Sequence, residues 1–301
     1  MLKHSDQNTE PAARSQPATP RLMPLREDHL PCAVGLSSAL GWPYREADWR
    51  FAFDLGAGLA VEMEGRLVAT ALWWLQGETH ASMGMIIVSP AIQGQGIGRA
   101  LMDRLLQETG GRTLILNSTH EGLALYTRLG FIAHGQVNQH QAVLELAHHF
   151  VPYSTHIRAM LVGDEHAVRQ LDLAATGRDR SALLSALFEV GSILVVDHGA
   201  GVSAYGCSRE FGRGVVIGPV IAGGTGAEAS ARAVITALAD AHRGRFVRID
   251  VTEDSGLSQW LADQGLPCVG HATPMVRATQ SPACPTGTDA RLFALSNQSI
   301  G

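Results

Sequence analysis

Apolar residues in this chain recur at alternate positions in some stretches and at three-to-four-residue spacing in others, and the switches of period lay out its elements. Residues 21–26, Arg-Leu-Met-Pro-Leu-Arg, read as a first strand. Asp28 opens a helix running to about Leu40, and Asp48 caps a second over residues 49–55. Strands over 58–63 and 66–74 flank Glu64-Gly65, a pair suited to a two-residue hairpin turn. An apolar strand over 85–88 breaks at Pro90 into a glycine-dense turn that runs straight into an amphipathic helix from Arg99. A strand over 113–117, a short helix around Tyr126 and a final strand over 143–146 complete the unit.

After His148-His149-Phe150-Val151-Pro152 the pattern starts again. Residues 155–160 match the first strand, 164–174 and 180–188 read as helices, and 192–197 and 202–208 as a strand pair. Val215-Val216-Ile217-Gly218-Pro219 then lines up with Ile86-Ile87-Val88-Ser89-Pro90, followed by a helix over 228–241 and a strand over 245–251. Trp260-Leu261-Ala262-Asp263-Gln264-Gly265-Leu266 falls where Leu125 to Phe131 fall in the first copy. The expectation is two tandem α/β domains of one fold, each with a mixed sheet, over 21–147 and 156–278. A Gln/Ser/Thr/Pro-rich tail over 1–20, a linker over 148–155 and a C-terminal tail over 279–301 surround them.

Composition narrows the function classes. At 301 residues and 46% hydrophobic, the chain can bury two ordinary cores. Its net charge of −5 and lack of a basic cluster argue against a nucleic-acid partner, and its apolar runs are too short to span a bilayer. Cys32, Cys207, Cys268 and Cys284 lack paired spacing, so neither a metal site nor a disulfide framework is expected, and free thiols fit a cytoplasmic location.

The chemistry concentrates in Val88-Ser89-Pro90-Ala91-Ile92-Gln93-Gly94-Gln95-Gly96-Ile97-Gly98-Arg99. A strand–glycine turn–helix unit aims unpaired N–H groups and the positive end of a helix dipole at one point, as an anion requires. The triphosphate loop GxxxxGK[ST] is not met, since the glycines are too close and Lys3 is the only lysine. The dinucleotide fingerprint GxGxxG is not met either, because Gly94, Gly96 and Gly98 spell GxGxG and no acidic residue ends the strand at 112–117.

Gln93-x-x-Gly96-x-Gly98 resembles the [QR]xxGx[GA] acyl-CoA signature of the GNAT N-acetyltransferase superfamily. Leu125-Tyr126-Thr127-Arg128-Leu129-Gly130-Phe131 resembles that superfamily's LYxxLGF segment, in the correct order with a strand between. The resemblance covers residues 21–146 well and the rest faintly. Aligned on the prolines, Gln93 becomes Ala222, Gly96 becomes Thr225, Gly98 becomes Ala227, Arg99 becomes Glu228 and Tyr126 becomes Leu261, so the second copy is expected to keep the fold without the acetyl-CoA motif.

The resemblance implies acetyl-CoA as co-substrate, no metal, and direct attack of an amine on the thioester. It implies that the backbone of Ile86, Ile87 and Val88 pairs with the pantetheine arm, and that amides of Gln93, Gly94, Gln95, Gly96, Ile97, Gly98 and Arg99 cradle the pyrophosphate. A strand N–H near Ile87 would polarise the thioester carbonyl. Tyr126 becomes the candidate general acid, because a phenol stays protonated at neutral pH. The base is open: the strand at Met83-Gly84-Met85 offers no carboxylate, which leaves Glu78, His80 and His120. Relatives often carry Asn where this chain has Thr119, while Asn117 remains available for a pantetheine contact. Gly41-Trp42-Pro43-Tyr44 and Asp48-Trp49 fall where this fold walls its acceptor site, with Trp73-Trp74 on the neighbouring strand, and Trp42, Asp48 and Trp73 are the candidate acceptor residues. In the second copy Tyr205, Cys207 and Arg209 share one strand face, a sharing that the two-residue period makes automatic.

The expected function is acetyl transfer to a primary amine of a small molecule. The alternatives are acetylation of a protein or peptide, and a non-catalytic acyl-CoA sensor. The second domain is expected to close the acceptor pocket or to form a homodimer contact.

Overall fold

The computed structural model describes residues 19–145, 156–199, 201–278 and 289–301; the expected tail up to residue 18 and linker over 148–155 lie outside the described residues. The first half runs β1 (Arg21–Pro24), α1 (Leu30–Ala39), α2 (Glu46–Asp54), β2 (Ala57–Met63), β3 (Arg66–Gln76), β4 (His80–Val88), α3 (Ile97–Glu108), β5 (Thr113–Ser118), α4 (Leu123–Arg128), β6 (Ile132–Ala133) and β7 (Val137–Val143). The second runs β8 (Ile157–Ala159), α5 (Glu165–Thr176), α6 (Ser181–Val190), β9 (Ser192–Asp197), β10 (Val202–Phe211), β11 (Gly214–Ala222), α7 (Ala227–Asp240), β12 (Phe246–Thr252), α8 (Ser258–Asp263), β13 (Cys268–Arg277) and β14 (Arg291–Ala294). The element order repeats between the halves, as the sequence pattern predicts.

Local sequence accounts for most of these elements. Glu64 and Gly65 both adopt positive φ, 51° and 72°, as a tight hairpin turn between β2 and β3 requires. In α3 the residues Ile97, Leu101, Met102 and Leu105 are buried on one stripe, against the face of the sheet that holds Trp73 and Met83. The opposite face carries Arg99–Asp103 and Arg104–Glu108 ion pairs, exposed and each worth only a few tenths of a kcal/mol, roughly. α2 begins at Glu46, so Asp48 stands inside its first turn, where its carboxylate accepts the Arg45 N–H at 2.9 Å.

All fourteen strands join one sheet, in the order β1-β2-β3-β4-β5-β13-β7-β12-β14-β11-β10-β9-β8, with β6 pairing β13 off that path. That order contains a reciprocal exchange. β13, from the second half, lies antiparallel on β5 of the first, with Met275 opposite Leu116. β7, from the first half, lies antiparallel on β12 of the second, with Gln139 opposite Asp250. β7 and β13 pair with each other between them. The strand expected over 143–146 is therefore corrected: the strand is Val137–Val143, polar through Asn138-Gln139-His140-Gln141, and Leu146 lies outside the described residues. Backbone pairing on both sides, rather than alternating apolar side chains, holds it in place. His140 is fully buried, one ring nitrogen 2.7 Å from the Leu266 carbonyl and the other 2.7 Å from the Ser258 hydroxyl.

The region expected as a C-terminal tail also holds a strand. β14 inserts between β11 and β12, with Ile221 opposite Leu292 and Val251 opposite Ala294. Phe293 is fully buried in the core of the second half.

The halves share one further core in which Trp49, Leu72 and Trp74 pack with Leu184, Tyr205 and Phe211. Beside it, Asp172 accepts the Arg180 guanidinium at 2.9 Å and the Tyr205 hydroxyl, all three groups being almost wholly buried. Burial and the Asp172 charge hold the Tyr205 phenol well above its usual range. Asp172→Ala would leave a buried guanidinium without its counter-charge. The expected result is a loss of about 3–5 kcal/mol of folding free energy, read by urea denaturation.

Candidate active site

β4 and β5 run parallel and pair only from His80 with Thr113 to Met83 with Leu116. Beyond Met83 the strands diverge, and the β4 edge facing β5 loses its partner. An extended ligand can take that place by backbone hydrogen bonding. The pairing of β4 with β3 also shifts register here, at a bulge around Met85, whose φ is +50°. Thr70, buried, donates its hydroxyl to the Met85 carbonyl at 2.9 Å and fixes the bulge. A non-glycine residue held at positive φ beside a cleft is a strained feature of the kind that functional sites retain.

The divergence opens into a cleft of about 740 Å³. At one end stands the glycine loop. Gly94 and Gly96 take φ of 78° and 82°, a region that favours glycine. Gly96 caps α3 and accepts the Ala100 N–H at 3.0 Å, so the N–H groups of Ile97, Gly98 and Arg99 have no acceptor within the helix. Gln93 donates its side-chain amide to the Val88 carbonyl at 3.1 Å, which ties the loop back to β4. Ile86, Val88, Gln93, Gly94, Gly96 and Gly98 line the cleft. Ile87 turns its side chain into the core, Gln95 is exposed, and the Arg99 guanidinium is engaged by Asp103 at 2.8 Å.

Tyr126 lines the wall between this loop and the end of β5. Its ring is 8% exposed and meets Phe131 edge-on, with centroids 5.9 Å apart. Burial pushes its phenol well above the ordinary value, and its hydroxyl makes no hydrogen bond among the described residues. Gly122 keeps the ring in place: a Cβ there would lie 2.7 Å from the ring and 2.9 Å from the Ser118 hydroxyl. Asn117 also lines the cleft, though its amide donates to the Gln298 carbonyl at 2.9 Å.

Several other expected residues lie elsewhere. Glu78 stands in the turn before β4, and His80 at the paired end of that strand, bonded to the Thr79 hydroxyl at 2.9 Å. Burial and Arg178 hold the His80 ring below its usual value. His120 is exposed, and none of these three lines the cleft. Trp42 does line it. Asp48 does not: it accepts Arg45 and the Gly212 N–H at 2.9 Å, which staples α2 to the turn between β10 and β11. Trp73 points to the α3 side of the sheet and does not line the cleft. Tyr205 and Cys207 are fully buried, with burial pushing the thiol up to about 12, and Arg209 is buried over Phe51 at 4.5 Å, so that strand face forms no cleft.

The far end of the cleft is built by Tyr44, which the sequence places with Trp42 at the wall, and by residues the sequence did not single out. Tyr44 follows Trp42, Gln139 comes from β7, Arg248 from β12, and Gln298 and Ser299 from the segment after β14. Tyr44 shares a hydrogen bond with the Ser299 hydroxyl and meets Phe211 edge-on at 5.2 Å. Glu121 lines the Tyr126 wall, its carboxyl held below the usual range by its own N–H and the Thr119 hydroxyl. The corresponding divergence of β11 and β12, which pair only from Val215 with Val247 to Ile217 with Ile249, is filled by β14.

Among the described residues there is no group of three or more His, Cys, Asp or Glu side chains able to hold a metal ion, and no helix long and apolar enough to cross a membrane. The model of the acetyltransferase (GNAT) family matches residues 22–131, and that of an acetyltransferase (GNAT) domain matches 168–289. An uncharacterized N-acetyltransferase, YitH, from Bacillus subtilis is 28% identical over 290 residues, which span 93% of this chain and 98% of that protein. Among solved structures, a putative acetyltransferase from Pyrococcus horikoshii superposes with a TM-score of 0.76 at 16% identity, over 99% of both chains. A tandem GNAT protein from the clavulanic acid biosynthesis pathway does so at 0.64 and 14% identity, over 88% of this chain and 100% of that one.

Proposed function

The chain belongs to the GNAT acetyltransferase family as a tandem of two of its domains, and from that premise we propose that the first domain's cleft moves the acetyl group of acetyl-CoA to the primary amine of a small molecule. The observation that carries this reading is the joining, in one cleft, of an anion-binding glycine loop, an unpaired β4 edge and a buried phenol with a free hydroxyl.

Acetyl-CoA supplies an activated thioester; the protein holds it and directs the protons. The N–H groups at the start of α3 receive the pyrophosphate, and the open edge of β4 over Ile86 to Val88 receives the pantetheine amides. The bulge at Met85 turns backbone N–H groups toward the carbonyl, where they stabilise the charge it gains in the transition state. The amine nitrogen forms its bond to the carbonyl carbon as the carbon–sulfur bond breaks. Tyr126 donates its proton to the departing sulfur, and the proton shed by nitrogen returns to solvent, from which the phenol is restored. Burial suits Tyr126 to that task by keeping it protonated throughout the working pH range.

A small acceptor is favoured over a protein because Gln298 and Ser299 line the cleft beside Tyr44 and Arg248 and take up room that a polypeptide would need. The test is thiol release from acetyl-CoA across amines and basic peptides. Release with small amines and none with peptides is expected. Release with peptides alone would overturn the substrate class, and tight CoA binding without release on any amine would establish a sensor.

A further inference from the structure

Arg248 reaches the acceptor end of the cleft from the second domain, and its setting is that of a recognition residue. Its Nε lies 3.0 and 3.1 Å from the two Asp250 oxygens, and its Nη2 lies 2.9 Å from one of them. Asp250 is fully buried and also accepts the Gln298 backbone N–H at 3.2 Å. Phe211 lies under the guanidinium, 5.6 Å from its carbon. The group is therefore held on one edge and one face. Its Nη1 makes no hydrogen bond among the described residues, although the residue is only 8% exposed and lines the cleft.

Neutral polar side chains stand beside it, engaged with one another: Gln298 Nε2 also lies 3.4 Å from Asp250, and the Gln139 amide donates to Gln141 at 3.0 Å. Gln298 donates its side-chain amide to Gln139 at 3.3 Å, and both residues line the cleft with the Ser299 hydroxyl. Asp250 offsets the formal charge of Arg248, so the spare edge suits a monoanion better than a phosphate dianion. The distance to the reacting centre is short in chain terms. Gln298 bonds Asp250 through its N–H and Asn117 through its carbonyl, and Asn117 stands where β5 leaves β4.

We propose that Arg248 is a specificity-determining residue that binds a carboxylate on the acceptor, making the acceptor a compact amino-carboxylate rather than a plain amine. The inference rests on the acetyl-transfer reading of the same cleft. The carboxylate accepts from Arg248 Nη1, with the Gln298 and Gln139 amides and the Ser299 hydroxyl beside it. The amine is thereby turned toward the Met85 bulge and Tyr126.

The test compares α- and ω-amino acids with the carboxamide and the decarboxylated amine of each, by thiol release from acetyl-CoA. The expected result is a kcat/KM at least tenfold higher for the best amino acid than for its two analogues. Arg248→Gln is expected to raise the KM for that amino acid at least tenfold, while calorimetric affinity for acetyl-CoA is retained. Because Arg248→Gln strips the buried Asp250 of its partner, the double variant Arg248→Gln/Asp250→Asn removes both charges together and is expected to lose the same preference. Equal turnover of carboxylate and analogues by the unaltered protein overturns the inference alone. Thiol release from none of them overturns the acetyl-transfer reading and the inference with it.

Discussion

Tyr126→Phe is expected to lower kcat by a factor of about 10²–10⁴, the range a positioned proton donor contributes, with little change in acetyl-CoA affinity. The substitution removes one oxygen and keeps the ring that packs against Phe131 and over Gly122. No hydrogen bond among the described residues is lost with that oxygen, so folding stability should be nearly unchanged and a rate effect can be assigned to chemistry. Because burial raises the phenol above its usual value near 10, deprotonation of Tyr126 should produce no fall in rate between pH 7 and pH 10, roughly. The measurement is kcat against pH for both proteins, with calorimetry of acetyl-CoA binding alongside. Full turnover by the variant would remove Tyr126 from the reaction and leave thiolate departure to solvent.

The glycine loop and Tyr126 were legible in the sequence because each is local. Pro90, Gly94 and Gly96 encode the break and the two left-handed positions within seven residues, and the loop forms as those types demand. The repeated order of elements was legible for the same reason. The exchange of β7 and β13 was not, since Asn138-Gln139-His140-Gln141 gives no apolar alternation and its pairing partners lie more than one hundred residues on. Trp73 and Trp74 show the limit of composition: adjacent on one strand, they face opposite sides, and Trp74 instead bonds the Ala52 carbonyl at 2.8 Å on the α1 side. Asp48 carried a correct signal for a helix start and no signal for the Gly212 N–H it also holds. Arg248 and Asp250 stand two residues apart on a strand, which places them on one face. Nothing local says that this face meets a cleft in the other half of the chain.

That cleft joins the two halves through their difference. In the first half the divergence of β4 and β5 is left open; in the second the same divergence is filled by β14, with Phe293 sunk into the core beside it. The loss of the glycine motif between Ala222 and Ala227 and the filling of the slot are therefore two signs of one change. A strand that occupies the second slot also delivers Gln298 and Ser299 to the first.

Gly84→Ala tests that delivery and is expected to be the most selective disruption of acceptor use. A Cβ on Gly84 would lie 2.1 Å from the Ser299 carbonyl oxygen and 2.9 Å from its carbon. Both atoms are backbone, so no rotamer change can relieve the overlap, and the segment from Gln298 to Ser299 must move. Moving it breaks the Ser299 bond to Tyr44 and the Asn117 bond to the Gln298 carbonyl, and loosens the contact of Gln298 with Asp250. A displacement of about 1 Å at a substrate-positioning group costs up to about 10²-fold in rate, so kcat/KM for the acceptor should fall by ten- to a hundredfold, roughly. Acetyl-CoA affinity should fall less than acceptor use, because the glycine loop that starts α3 is tied back to β4 by Gln93 and makes no hydrogen bond to the displaced segment among the described residues. Gly96→Val should do the reverse, since it forces a β-branched residue into φ of 82° at the cap of α3 and weakens acetyl-CoA first. Initial-rate kinetics in both substrates separate the two outcomes. If Gly84→Ala changed the two substrates' KM values equally, the C-terminal segment would be a general brace of the fold rather than a wall of the acceptor site.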